Sequence, residues 1–121
     1  MKRGEVWLGN LHPTRGMEAG KTRPLLIIQA DFLTGSGEPT IVVLPLTTQV
    51  RASKEPLHVT IAARGELHST SQVMPEQARA IDRRRLTKGP LTRLQDEEMA
   101  AVERSLTAVL GLDQLAERSA L

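Results

Sequence analysis

Arg23 and Thr47 are the residues of this chain best suited to chemistry, because each stands at one end of an apolar, strand-like run. Arg23 precedes Pro24-Leu25-Leu26-Ile27-Ile28, and Thr47 follows Ile41-Val42-Val43-Leu44-Pro45-Leu46. Proline disfavours helix at the residue before it, so Pro24 holds Arg23 extended while the apolar run anchors it. A guanidinium stays charged and offers a planar fork to two phosphate oxygens, and a hydroxyl supplies a further donor. Brought together, the two side chains can bind a phosphate and stabilise a pentavalent oxyanion. Taken singly, such an arginine reads as half of a surface ion pair, and a strand-ending threonine as a cap on local backbone.

Other chemistries find no footing. There is no G-x-S-x-G elbow, P-loop, dinucleotide fingerprint or H-E-x-x-H. His12, His58 and His68 are scattered without metal-ligand spacing and read as surface or strand histidines, so neither metal nor cofactor is expected. The absence of cysteine removes disulfides and thiolate metal sites and fits a cytoplasmic protein. No apolar run approaches the ~20 residues of a membrane span. Met1-Lys2-Arg3 leads into a polar, acid-containing stretch rather than a signal-peptide core.

Charge is unevenly spread along the 121 residues. Positions 1–95 hold 14 Lys/Arg against 8 Asp/Glu, a balance of +6, whereas 96–121 hold 2 against 6, a balance of −4. A basic body favours a polyanionic partner, nucleic acid or an acidic protein segment, although a solvated surface has the same composition. Trp7 and Phe32 are the whole aromatic complement, too few for the modules that stack bases on aromatic faces.

The elements that must position Arg23 and Thr47 follow from patterning. Glu5 to Leu11 reads as a first strand, His12 to Thr22 as a polar loop, and Arg23 to Ala30 as a strand buried on both faces. Thr34 to Pro39 is a turn and Thr40 to Leu46 the second buried strand. Gln49 to Glu55 forms a polar loop, and Leu57 to Ala62 and Ser71 to Ile81 read as further strands. Thr92-Arg93-Leu94-Gln95 has the form of a capping box, followed by acidic residues suited to the positive end of a helix. Met99, Val102, Leu106, Val109 and Leu110 then give one apolar helical stripe ending at Gly111. The pattern is mainly β with a C-terminal helix: one domain over 1–112 as a small curled sheet or barrel, and a tail over 113–121.

The order and spacing of several short marks resemble the MazF/PemK family of toxin endoribonucleases. These marks are Arg3-Gly4-Glu5-Val6-Trp7, then Gly16 and Glu18, Arg23-Pro24 with its strand, and Pro45-Leu46-Thr47. Glu76-Gln77-Ala78-Arg79-Ala80-Ile81-Asp82, Arg85-Leu86 and the terminal helix complete them. The resemblance implies an SH3-like, CcdB/PemK-type barrel that dimerises. It implies sequence-selective, metal-independent cleavage of single-stranded RNA, mRNA included. It also implies neutralisation by a MazE-like antitoxin whose acidic C-terminal segment fills the RNA site.

Within that resemblance Arg23 and Thr47 carry catalysis. The PemK branch places a histidine in the first loop and uses an Arg-x-Asp triplet; this chain has Met17 and Met74-Pro75-Glu76 there, which sets it nearer the MazF branch. Glu18 and Glu76 are then the carboxylates to consider as the base, and none of the three histidines is expected to be essential. Gln77 suits a base edge through its amide. Thr48, Arg15, Lys21, Arg51 and Lys54, in or beside the two loops flanking the site, suit further RNA contacts. Arg83-Arg84-Arg85, read as part of a strand, cannot all face one way and reads as a solvated edge. Two rivals remain: a toxin of the same barrel type that poisons DNA gyrase by protein contact, and a non-catalytic RNA- or protein-binding barrel.

Overall fold

The apolar runs beside Arg23 and Thr47 become adjacent strands in the middle of one antiparallel sheet. The computed structural model describes residues 1–13, 15–18 and 21–114. Its strands are β1 (Glu5–Asn10), β2 (Thr22–Ile27), β3 (Thr40–Thr47), β4 (Val59–Ile61), β5 (Ser71–Val73), β6 (Arg79–Asp82) and β7 (Leu86–Arg93). A short helix α1 (Asp31–Thr34) separates β2 from β3, and α2 (Asp96–Val109) follows β7. The strands run β4-β5-β3-β2-β1-β7 across the sheet, with β6 also pairing β3. The result is a curled half-barrel with a terminal helix packed on it.

Alternation along β2 and β3 explains their continuous hydrophobicity. Leu26 and Leu44 point to one face, where Val6, Leu46, Ile61, Val73 and Val102 bury with Met99 and Leu106 of α2. Leu25, Ile27, Ile41 and Val43 point to the other, where they pack with Leu11, Ile81, Leu86 and Trp7. All of Leu25, Leu26, Ile27, Val43 and Leu44 are fully excluded from solvent.

Several expected elements are corrected. The run Ser71 to Ile81 is two strands, because Pro75 starts a single helical turn, Pro75–Gln77, between β5 and β6. Across from that break lies Pro45 of β3, which has no N–H; its carbonyl accepts the Met74 N–H at 2.9 Å instead. The strand expected to reach Ala30 stops at Ile27, since Ala30 caps α1, and the strand expected from Leu57 begins at Val59. Arg83–Arg85 form a turn capped by the Asp82 carboxylate rather than a strand edge. Thr92 does not cap α2: it stays in β7, opposite Val6 of β1. The capping box is closed one turn later, between Gln95 and Glu98.

Strand β7 passes unread in the sequence because Gly89-Pro90 interrupts it. A bulge against β1 absorbs the interruption, and Trp7 lies over Gly89 so closely that a Cβ there would sit 2.4 Å from the indole. Beyond α2, Leu112–Gln114 make a further turn. Of the tail expected over 113–121, positions 115–121 lie outside the described residues.

Candidate active site

The register of β2 against β3 decides what the ends of those strands do together. Leu25 pairs with Pro45, Leu26 with Leu44 and Ile27 with Val43. Continuing that register outward sets Pro24 opposite Leu46 and Arg23 opposite Thr47, on the same face of the sheet. The Arg23 guanidinium accordingly reaches the neighbouring strand, where Nη1 donates to the Leu46 carbonyl at 3.2 Å.

Around this pair opens a cleft of about 390 Å³, lined also by Lys21, Thr48, Gln49, Met17, Met74 and Gln77. Burial in the cleft wall lowers the Arg23 pKa from its ordinary value, yet a guanidinium remains cationic under any folding condition. Thr47 Oγ1 accepts the Gln49 N–H at 3.1 Å, so the local capping contact is made. That contact uses a lone pair and leaves the hydroxyl hydrogen to donate. Gln77 arrives from the Pro75–Gln77 turn, which the break between β5 and β6 sets beside the end of β3.

Of the residues expected from sequence, the fold gathers Arg23, Thr47, Thr48, Lys21 and Gln77 at one cleft. Met17 lines it where the PemK branch has histidine, placing a thioether where no proton transfer is possible. Arg15 is exposed and does not line the cleft. Arg51 and Lys54 are exposed in the loop after β3 and likewise stand off it. Glu18, in the β1–β2 loop, has its carboxylate 3.7 Å from Arg79 of β6.

Glu76 is turned away from the cleft: its Oε2 lies 2.6 Å from His58 Nε2. His58 is therefore neither a surface nor a strand histidine. It is buried, just before β4, with its other ring nitrogen 3.3 Å from Gln72 Oε1. Sequence reasoning missed both His58 and Gln72. The one available signal was Pro75 itself, which, set against Pro45, forecasts a turn at Glu76 and frees its side chain from strand alternation.

Among the described residues no group of three or more His, Asp or Glu side chains is placed to hold a metal ion. No described helix is long and apolar enough to cross a membrane.

Residues 2–110 match the family described as PemK-like, MazF-like toxins of type II toxin-antitoxin systems. The chain is 38% identical over 122 aligned residues to the Endoribonuclease MazF of Staphylococcus saprophyticus, covering 99% of each protein. Its fold is similar to the crystal structure of MazF from Deinococcus radiodurans, with a TM-score of 0.76 and 25% identity over 92% of this chain and 96% of that one. It also matches a mycobacterial endoribonuclease in complex with its cognate antitoxin, with a TM-score of 0.72 and 20% identity over 93% and 96% of the two chains. On this agreement of sequence across nearly the whole length, with the same half-barrel and terminal helix, the chain belongs to the PemK/MazF family of type II toxins.

Proposed function

We propose that this chain is an endoribonuclease toxin that cleaves single-stranded RNA, mRNA included, without a metal ion, by attack of the 2′-hydroxyl on the adjacent phosphate. The observation that carries the reading is the β2–β3 register, which sets a guanidinium opposite a hydroxyl at the rim of a cleft. In the step, the 2′-oxygen bonds to phosphorus, its proton passes to a base, and the bond to the 5′-oxygen breaks as that oxygen takes up a proton. The products are a 2′,3′-cyclic phosphate and a 5′-hydroxyl. Arg23 donates to the non-bridging oxygens as charge grows in the phosphorane, where a fixed donor is worth most. The Thr47 hydroxyl donates beside it or holds the 2′-OH in line.

For the base, the surroundings of the two carboxylates favour Glu18 over Glu76. Glu76 is engaged by His58, whereas Glu18 belongs to the loop that also contributes Met17 and Lys21 to the cleft. Glu18 is the carboxylate we assign to the 2′-OH. Gln77 and Thr48 suit contacts to the bases, and Lys21 to a phosphate. The remaining assignments follow the family: a homodimer in the cytoplasm, silenced when the acidic C-terminal segment of a MazE-like antitoxin occupies the same basic cleft.

Incubating the purified protein with a long RNA in excess EDTA tests the reading. Fragments with 5′-hydroxyl ends are expected, and a 2′-deoxy sugar on the 5′ side of the cut should block that cut. Activity that vanishes with chelator and returns with magnesium would contradict the mechanism. An intact RNA, with gyrase inhibited instead, would move the chain to the protein-contact rival.

A further inference from the structure

Behind the cleft lies a buried polar relay that the cleavage chemistry does not use. Gln72 on β5 is wholly excluded from solvent. Its Nε2 donates to the Arg51 carbonyl at 3.0 Å and to Thr60 Oγ1 at 3.1 Å, and its Oε1 accepts the Arg51 N–H at 3.2 Å. Bonding both backbone groups of one residue fixes the amide, since a flip would oppose N–H to N–H and carbonyl to carbonyl. Oε1 is purely an acceptor, so His58 Nδ1, facing it at 3.3 Å, must carry a hydrogen. The neutral ring would then present a lone pair at Nε2. Glu76 Oε2 stands 2.6 Å from that atom, and an ionised carboxylate offers only lone pairs. Two acceptors do not rest at that separation, so the contact contains a proton.

We infer that His58 is a positioning residue for the RNA cleft, its shared proton with Glu76 locking the Pro75–Gln77 turn while Gln72 ties the same ring to the loop after Thr47. One buried imidazole thereby sets the spacing of two cleft walls, the turn that carries Gln77 and the segment Thr47-Thr48-Gln49 that leads to Arg51. Breaking the His58–Glu76 contact loosens the turn and blurs base selection by Gln77 before it touches the phosphate chemistry at Arg23. Ionisable neighbours on the packed elements are few. The loop before His58 brings Lys54, whose carbonyl accepts the His58 N–H, and Glu55, whose carboxylate is bonded by Thr60. Helix α2 brings Arg104, beside Leu57 in an adjoining groove; β5 brings the uncharged Gln72.

The functional half of this inference rests on the reading of the cleft as an RNA site; the proton in the relay does not. Proton NMR of the 15N-histidine-labelled protein should show two slowly exchanging, far-downfield ring N–H resonances from His58. Glu76→Gln should remove the Nε2–H resonance, because the glutamine amide donates to a neutral ring, and should leave the Nδ1–H. Steady-state cleavage of a matched RNA and of RNAs with single base changes supplies the second readout. His58→Gln, whose one amide group cannot bridge both partners, should lose about 10-fold in discrimination, mostly through KM, as expected for one weakened base contact. Glu76→Gln, whose amide still donates to the ring, should keep the discrimination of the parent protein. A folded His58→Gln protein with unchanged discrimination, or a single His58 ring resonance in the parent protein, would overturn the proposal. If the parent protein cuts no RNA, the cleavage reading fails while the resonances still report on the relay.

Discussion

Arg23, on β2, and Arg64, in the segment between β4 and β5, are both partly buried arginines, and their surroundings push them in opposite directions. Arg64 is held by four hydrogen bonds: its guanidinium meets both oxygens of Glu98 at 2.9 and 2.7 Å, Thr92 Oγ1 at 3.3 Å and the Arg93 carbonyl at 3.1 Å. The bonds to Glu98 raise the Arg64 pKa despite burial, so the folded state prefers the cation there. Arg23 is moved down by burial, so the fold bears a cost for its charge at the cleft rim. A clamp satisfies its charge internally and turns it into stability. In the reading proposed above, Arg23 instead presents its charge at the cleft rim, where an incoming phosphate would meet it.

The sharpest way to break this contrast is to exchange the consequences of removing each arginine. Arg23→Ala should lower the cleavage rate by roughly 10²-fold or more, the scale of losing one preorganised donor to a developing oxyanion. Its unfolding free energy should move by about 1 kcal/mol or less, since the side chain lies at the cleft and outside both hydrophobic clusters. Arg23→Lys should also be poor, because an ammonium cannot present the planar fork. Near-parental turnover in a folded Arg23→Ala protein would sink the catalytic assignment.

Thr47→Val keeps the shape and removes the hydroxyl, and cleavage should fall by about 10-fold or more with little change in stability. Thr48→Val is the control, because neighbours on an extended segment face opposite ways. Single-turnover rates for the two variants settle the register: damage concentrated at Thr48 would mean that the hydroxyl opposite Arg23 is not the working one.

What could be read from the sequence follows the range over which each interaction acts. The two apolar runs from Leu25 to Ile27 and Ile41 to Leu46 announce buried strands, and a polar residue at the end of each is visible without coordinates. Their juxtaposition is not, because the pairing of Arg23 with Thr47 depends on how the segment between Ile28 and Pro39 folds, including α1. Thr92 illustrates a local preference overruled: it is a better helix cap than Gln95 in isolation, but pairing with Val6 keeps it in the ladder. The His58–Glu76 contact lies further out of reach. It spans 18 residues and two turns, a separation with no periodicity to betray it.

Arg64→Ala should reverse the pattern seen at Arg23. With Glu98 left half-buried and short of two charged bonds, stability should drop by about 2 kcal/mol while cleavage at a permissive temperature holds. Denaturant midpoints and initial rates on one RNA measure both at once. A catalytic loss comparable with that of Arg23→Ala would erase the distinction between clamp and site.

Acidification gives the smallest and most discriminating effect. The bond from Arg64 is the leading cause that holds the Glu98 carboxyl below its ordinary value of 4.5, with burial opposing it and the Gln95 N–H and the Arg64 charge assisting. A carboxylate with a depressed folded pKa binds fewer protons in the native state than in the unfolded chain. Its stabilisation is therefore fully present above about pH 4.5 and is lost as pH falls through the lower, folded value. Glu5 shifts the same way: burial opposes, but bonds from Trp7, Lys2 and Arg93 outweigh it. Asp82, bonded by Arg84, is held at about 2. The absolute acid slope thus belongs to several groups, and the difference between two proteins isolates one. Urea midpoints from pH 6 to pH 3 should fall more steeply for the parent chain than for Arg64→Ala, because only the parent has the clamp left to lose. Parallel slopes would show that Glu98 keeps its low pKa without Arg64, leaving the capping bond from Gln95 as the group that sets it.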